Sequence, residues 1–183
     1  MRAREKRYII IGETYASKKP ITISTTLGSC VAVCLFDTKN RIGGMNHILL
    51  PGDADLNIFN DNARYGINAM EILINKILSL GGKKKNLIAK VFGGAHMLPG
   101  FSINNSTGMK NVRFVKEFLA KERIKIISQH TGGTITRVIY FHTDTAEVFL
   151  REIKSYYLRT AEQERLIMEN YQTEIFKSDI TFF

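Results

Sequence analysis

Apolar residues recur along this chain with two different periods, and the switches between them mark its elements. Residues 31–36, Val31-Ala32-Val33-Cys34-Leu35-Phe36, and residues 45–50, Met45 to Leu50, alternate and branch like strands. The polar stretch Thr38-Lys39-Asn40-Arg41 between them predicts a hairpin, which Pro51-Gly52-Asp53 ends. Upstream, a strand is expected over 8–13, then a Lys18-Lys19-Pro20 turn and a second strand over 21–26. Residues 57–61 read as loop. The period then lengthens: Met70, Leu73, Ile74, Ile77 and Leu78 form one stripe of a helix over 62–80, with Gly81 as its C-cap. A strand over 87–92 leads into Gly93-Gly94-Ala95, and a second amphipathic helix over 109–121 turns Val112, Val115, Phe118 and Leu119 inward. Strands follow over 124–129, 136–142 and 147–153, the last two joined through Thr143-Asp144-Thr145. Mostly antiparallel strands interrupted by two long helices predict an α+β domain over 1–153. Residues 154–183 form an extension, with a helix over 154–172 and an apolar tail, that packs back on the domain or docks a partner.

The hairpin also carries candidate chemistry. A loop of two residues (Lys39-Asn40) or four (38–41) gives one register, in which His47 lies opposite Ala32, on the face of Cys30 and diagonal to it. Diagonal neighbours of an antiparallel pair are roughly 7 Å apart at the backbone, within reach of long side chains. A three-residue loop would shift the parity and send His47 to the other face. A thiol and an imidazole so placed can act as nucleophile and base. The plainer alternative is that a strand cysteine is a small buried hydrophobe and a strand histidine is structural. Cys34 shares the face of Cys30 but lies deeper in the apolar run, and reads as core. Two cysteines without a CxxC spacing or clustered histidines make no zinc site, so no metal is expected.

Composition narrows the setting. A length of 183 residues suits one domain with a real core. No apolar run reaches membrane-spanning length and no signal sequence opens the chain. Two cysteines fit a reducing cytoplasm, where a thiol persists. The formal charge is +9, with Lys83-Lys84-Lys85 and a basic set from Lys110 to Lys125. This charge raises a nucleic-acid reading, against which stand the lack of a recognition motif and of tryptophan; it also suits an acidic protein partner through steering.

The strings TTLGSCVAVCLFD, GGMNHILLP, ARYGINAMEILI and AKVFGGAHM resemble, in order, the chemoreceptor glutamine deamidases of the CheD family, over about residues 8–153. The resemblance implies packed, mostly antiparallel β-sheets flanked by two helices, with the site at a strand edge. It implies that Cys30 is the nucleophile and His47 the general base. A threonine six positions before the cysteine orients the histidine in that family; here Ser24 stands there, with Thr25 and Thr26 as neighbours that a register change would bring in. Backbone amides around Gly28, Ser29 and Cys30 would receive the oxyanion, and Gly93 and Gly94 would line the substrate groove. The implied reaction turns receptor glutamines into glutamates through a thioester, with no cofactor, and with glutamyl methyl ester hydrolysis as a side activity. Implied partners are the chemoreceptor cytoplasmic helices and a CheC-type phosphatase. The alternative is that the chain mainly docks that phosphatase and catalyses little. A further alternative is another cysteine amidohydrolase acting on small amides. The chain departs from the family pattern at Lys110 in Gly108-Met109-Lys110-Asn111, at His130-Thr131-Gly132-Gly133, and at Ala146, where a hairpin glycine is expected.

Overall fold

The computed structural model describes residues 4–50, 52, 54, 56, 61–97 and 106–153. Its strands are β1 (Glu5–Tyr8), β2 (Thr14–Ser17), β3 (Ile21–Leu27), β4 (Val31–Asp37), β5 (Ile42–Ile48), β6 (Leu87–Gly93), β7 (Lys125–Thr131), β8 (Thr136–His142) and β9 (Val148–Ile153). Helix α1 (Asp61–Ser79) follows β5, a single 3-10 turn (Lys84–Asn86) precedes β6, and α2 (Thr107–Lys121) lies between β6 and β7. The strands form two mixed sheets, ordered β1-β3-β8-β9 and β2-β5-β4-β6-β7. Pairing is antiparallel except for β1 with β3 and β6 with β7. The fold is therefore α+β, as expected.

Strand β4 explains the layering. All seven of its residues are buried. Val31, Val33 and Leu35 pack with Met70, Leu73 and Ile77 of α1 and Val112, Val115 and Leu119 of α2. Ala32, Cys34 and Phe36, with Cys30 just before them, face Ile21, Ile23, Leu27, Ile139 and Phe141 of the other sheet. A strand covered on both faces is apolar throughout rather than alternating, hence the unbroken run in the sequence. Both helices cover one face of the five-stranded sheet, and the four-stranded sheet covers the other.

The hairpin closes through the four residues 38–41, Asp37 opposite Ile42 and Ala32 opposite His47. Helix α1 begins one residue before its predicted start and ends one before its predicted end, and Gly81 (φ +99°) follows it, with Gly81 and Gly82 N–H groups returning to Leu78 and Ile77 carbonyls. Helix α2 starts two residues earlier than expected because Ser106 caps it, its hydroxyl accepting from the Met109 N–H. The strand expected over 8–13 is different. It divides into the end of β1 and a crossing turn at Gly12 (φ +82°) that carries the chain to β2 in the other sheet. The run Tyr8-Ile9-Ile10-Ile11 is apolar for two reasons rather than one: Ile9 is 1% exposed between the sheets, whereas Ile10 is 59% exposed. The helix expected over 154–172 lies outside the described residues.

Asp37 ties the hairpin turn to the connection after α1. Its carboxylate accepts from the N–H groups of Lys39 (2.8 Å), Asn40 (2.8 Å) and Lys83 (2.7 Å), and from the Asn40 side chain (2.9 Å). Burial alone would raise its pKa, but these donors, the Asn40 side chain first, outweigh burial and hold the carboxyl at about 2. A depressed folded-state pKa gives stability that is complete above the ordinary value of 3.8 and is lost as pH falls through about 2. Asp37→Asn should lower stability by about 1–3 kcal/mol, because it turns a donor toward other donors. Urea unfolding from pH 5 to pH 2 should also show a shallower acid slope in the variant.

Candidate active site

Cys30 is the first residue beyond the β4–β5 ladder, whose last pair is Val31 with Ile48. His47 stands opposite Ala32, one diagonal step from Cys30, and both side chains turn to the space between the sheets. The parity the sequence required is the one observed. Cys30 is 1% exposed and His47 4% exposed.

The imidazole is held from the other sheet. Thr25 Oγ1 on β3 lies 2.7 Å from His47 Nδ1, and the same hydroxyl donates to the Ile9 carbonyl at 2.7 Å. A threonine hydroxyl has one proton. Given to Ile9, it leaves Oγ1 to accept, so His47 carries its proton on Nδ1 and presents a bare lone pair at Nε2. That nitrogen is buried and has no hydrogen-bond partner among the described residues. Burial pushes the imidazole down to about 3, against a smaller opposing effect from the Ile9 carbonyl. A neutral imidazole with its tautomer set in advance is the result.

Ser24 does not reach His47. It is paired with Tyr140, and alternation along β3 turns it to the outer face of the sheet. Its carbonyl takes the Ile9 N–H at 2.9 Å, so it shapes the segment that holds Thr25 rather than the imidazole itself. The hydroxyl brought to the imidazole belongs to Thr25, which counting back from the cysteine does not select. The signal available in the sequence was parity: Ile23, Thr25 and Leu27 share one face, and Ile23 and Leu27 are plainly core.

Gly28, Ser29 and Cys30 form the loop that delivers the thiol. The Gly94 N–H donates to the Cys30 carbonyl (2.7 Å) and the Ala95 N–H to the Gly28 carbonyl (2.8 Å). The Gly94 N–H is thus spent on holding the loop. Gly93 sits at φ +107°, and a Cβ there would collide with the Cys30 carbonyl, so only glycine allows this approach. The turn is braced in its turn by Arg137, 2% exposed, whose guanidinium donates to the carbonyls of His130 (2.7 Å), Gly132 (2.5 Å) and Ile135 (3.1 Å). The Gly132 N–H meets the Gly93 carbonyl at 2.9 Å. The His130-to-Gly133 segment therefore supports the loop from behind. Cys34 is a free thiol in the inter-sheet core, its pKa raised by burial, and it stays inert there.

Comparison with known proteins places these features in context. Residues 49–152 match the sequence model of the family described as CheD chemotactic sensory transduction. That range begins two residues after His47, so it rests on the scaffold around the site rather than on the Cys30–His47 pair. The probable chemoreceptor glutamine deamidase CheD 1 of Shewanella oneidensis is 44% identical over 149 residues, 80% of this chain and 72% of that protein. The probable chemoreceptor glutamine deamidase CheD of Thiobacillus denitrificans is 42% identical over 152 residues, 82% of this chain and 75% of the other. That of Methylobacillus flagellatus is 40% identical over 160 residues, 85% and 78% of the two chains.

The hydrogen-bond chain predicts that nitrogen-detected NMR at pH 7 shows His47 as the Nδ1–H tautomer. Thr25→Val should abolish that preference and Ser24→Ala should leave it. Thr25→Val should also cost about 1–3 kcal/mol by orphaning the Ile9 carbonyl. His47 has a folded-state pKa below its unfolded value, so its contribution to stability is complete above 6.5 and declines as pH falls toward about 3. Acid titration of unfolding should show that loss, reduced in His47→Gln.

Proposed function

The chain belongs to the CheD chemotactic sensory transduction family, and from that premise we propose that it is a protein-glutamine deamidase acting on chemoreceptor cytoplasmic helices. The observation that carries the reading is the buried His47 Nε2 lone pair, fixed by Thr25 and one diagonal step from the Cys30 thiol. His96 and His142 also have a buried nitrogen without a partner among the described residues; what sets His47 apart is the hydroxyl contact at Nδ1 and its place beside Cys30.

The chemistry follows from the atoms available. His47 Nε2 takes the Cys30 proton as the sulfur attacks the carboxamide carbon of a glutamine, since thiolate rather than thiol is the nucleophile. The carbonyl oxygen becomes an oxyanion beside the backbone of Gly28-Ser29-Cys30, where amides held rigidly in advance are worth most. The imidazolium returns its proton to the nitrogen, the C–N bond breaks, and ammonia leaves a glutamyl thioester on Cys30. Water, deprotonated by the again-neutral His47, attacks the thioester. The thiol leaves with the proton, and glutamate is released. Thr25 keeps the ring in the tautomer that this sequence needs, as the third member of a triad does. A glutamine side chain, slender and ending in a primary amide, suits a sulfur as recessed as Cys30. The same steps hydrolyse a glutamyl methyl ester, with methanol in place of ammonia. The net charge of +9 favours encounter with an acidic receptor helix.

Mass spectrometry of a glutamine-bearing receptor fragment incubated with this protein should show amide-to-acid conversion at defined residues. Cys30→Ala, folded as the wild type, should abolish it. No conversion by the wild type, with binding to the fragment or to a CheC-type phosphatase retained, would replace catalysis with docking as the principal role.

A further inference from the structure

We infer that Asn111 is a positioning residue that sets the spacing between Cys30 and His47, an inference that rests on the Cys–His reading above. Its side chain is fully buried at the start of α2. The carboxamide Nδ2 donates to the Ser29 carbonyl at 2.9 Å, and Oδ1 accepts from the Leu50 N–H at 3.0 Å. Ser29 immediately precedes Cys30, and Leu50 lies three residues after His47.

The register shows what this bridge replaces. The β4–β5 ladder pairs Asp37 with Ile42 through Val31 with Ile48. Continued by two steps, it sets Ser29 opposite Leu50. An unbroken ladder would join the Leu50 N–H directly to the Ser29 carbonyl. Instead Asn111 enters from the helix layer and makes both halves of that bond with one planar group. A side-chain amide offers a donor and an acceptor on one carbon, so the strands remain connected but stand apart by the width of a carboxamide. The widening falls at Cys30 and Leu49, the pair between the ladder's end and the bridge. There the thiol needs room for a substrate carbonyl while remaining in reach of His47.

Asn111 is itself firmly placed. Gly108, one helical turn earlier, packs against the Gly94 and Ala95 carbonyls so closely that a Cβ would fall 2.5 Å from each. The first turn of α2 is thereby docked on the same glycine turn that holds the Cys30 carbonyl. The loop before the nucleophile is tied to β6 and to α2, and the tie through Asn111 also reaches the segment that follows the strand of the base.

The test is a double-mutant cycle read on the thiol, independent of any receptor. Iodoacetamide alkylation of Cys30 at pH 7, located by peptide mass, is followed in wild type, Asn111→Ala, His47→Ala and the double variant. If Asn111 acts through the Cys30–His47 geometry, Asn111→Ala slows alkylation about tenfold in the wild-type background. It then has no further effect, within about twofold, once His47 is gone, since such coupling is what the cycle isolates. Asn111→Asp keeps the acceptor for Leu50 and loses the donor to Ser29, so it should fall between. It also serves where the alanine variant does not fold, as judged by thermal unfolding. Equal slowing in both backgrounds assigns Asn111 to general packing and overturns the inference, as does no slowing in either. If His47→Ala alkylates like the wild type, the Cys–His pair fails and the inference with it. If the cycle is coupled but receptor glutamines stay unchanged, the substrate reading fails and the positioning role stands.

Discussion

The direction of one hydroxyl proton governs the site. Thr25 stands in one sheet and His47 in the other, and the Ile9 carbonyl claims the threonine proton. Everything that follows at the imidazole depends on that claim: the proton on Nδ1, the open lone pair on Nε2, and a neutral ring in a place where burial makes charge costly. The arrangement works only if the two sheets approach closely. At Gly43 on β5 a Cβ would come within 2.6 Å of the Thr143 carbonyl, so the edge of the sandwich closes where a side chain is missing. Ile9 is part of the same device, because its side chain fills the inter-sheet core while its carbonyl faces Thr25.

Much of this was legible in the sequence, for a physical reason. Parity along a strand is a strict rule, and a four-residue turn fixes it, so the shared face of Cys30 and His47 could be read from spacing alone. The helices were legible because each buries a single stripe, with Gly81 marking one end. What spacing could not give was the distance between sheets. Ser24 and Thr25 are both hydroxyl residues on one strand; counting back from the cysteine selects Ser24, whereas the shared face of Ile23 and Leu27 selects Thr25. The segment 8–13 failed for a related reason. Its hydrophobicity comes from a crossing between sheets rather than from one strand, and a linear pattern does not distinguish the two. Asn111 carried no periodic signal at all, being a polar residue on a buried helix face.

Buried polar groups concentrate around the loop that carries Cys30. Asn111, Arg137 and Thr25 are each buried and spend their donors and acceptors largely on backbone atoms of neighbouring segments. Each costs desolvation that a hydrophobic residue would not. A core designed for stability alone would dispense with them. What they provide is definition: a loop rich in small residues, which would otherwise sample many conformations, has its carbonyls fixed one by one. Ala146 shows the opposite economy. It occupies a left-handed backbone position (φ +60°) where glycine is easier, and recovers part of the strain by burying its methyl group in the inter-sheet core.

The partner of β3 has a bearing on how the domain is made. Cys30 and His47 are joined early, by a local hairpin, but the strand carrying Thr25 pairs with β8 at residues 136–142. Contacts between distant parts of a chain form late, since the loop must close before they contribute anything. During synthesis, therefore, the thiol and the imidazole exist well before β3, flanked on one side by β1, gains β8 as its second neighbour. Completion of the four-stranded sheet thus waits on residues 136–153, long after Thr25, Cys30 and His47 are all present in the chain.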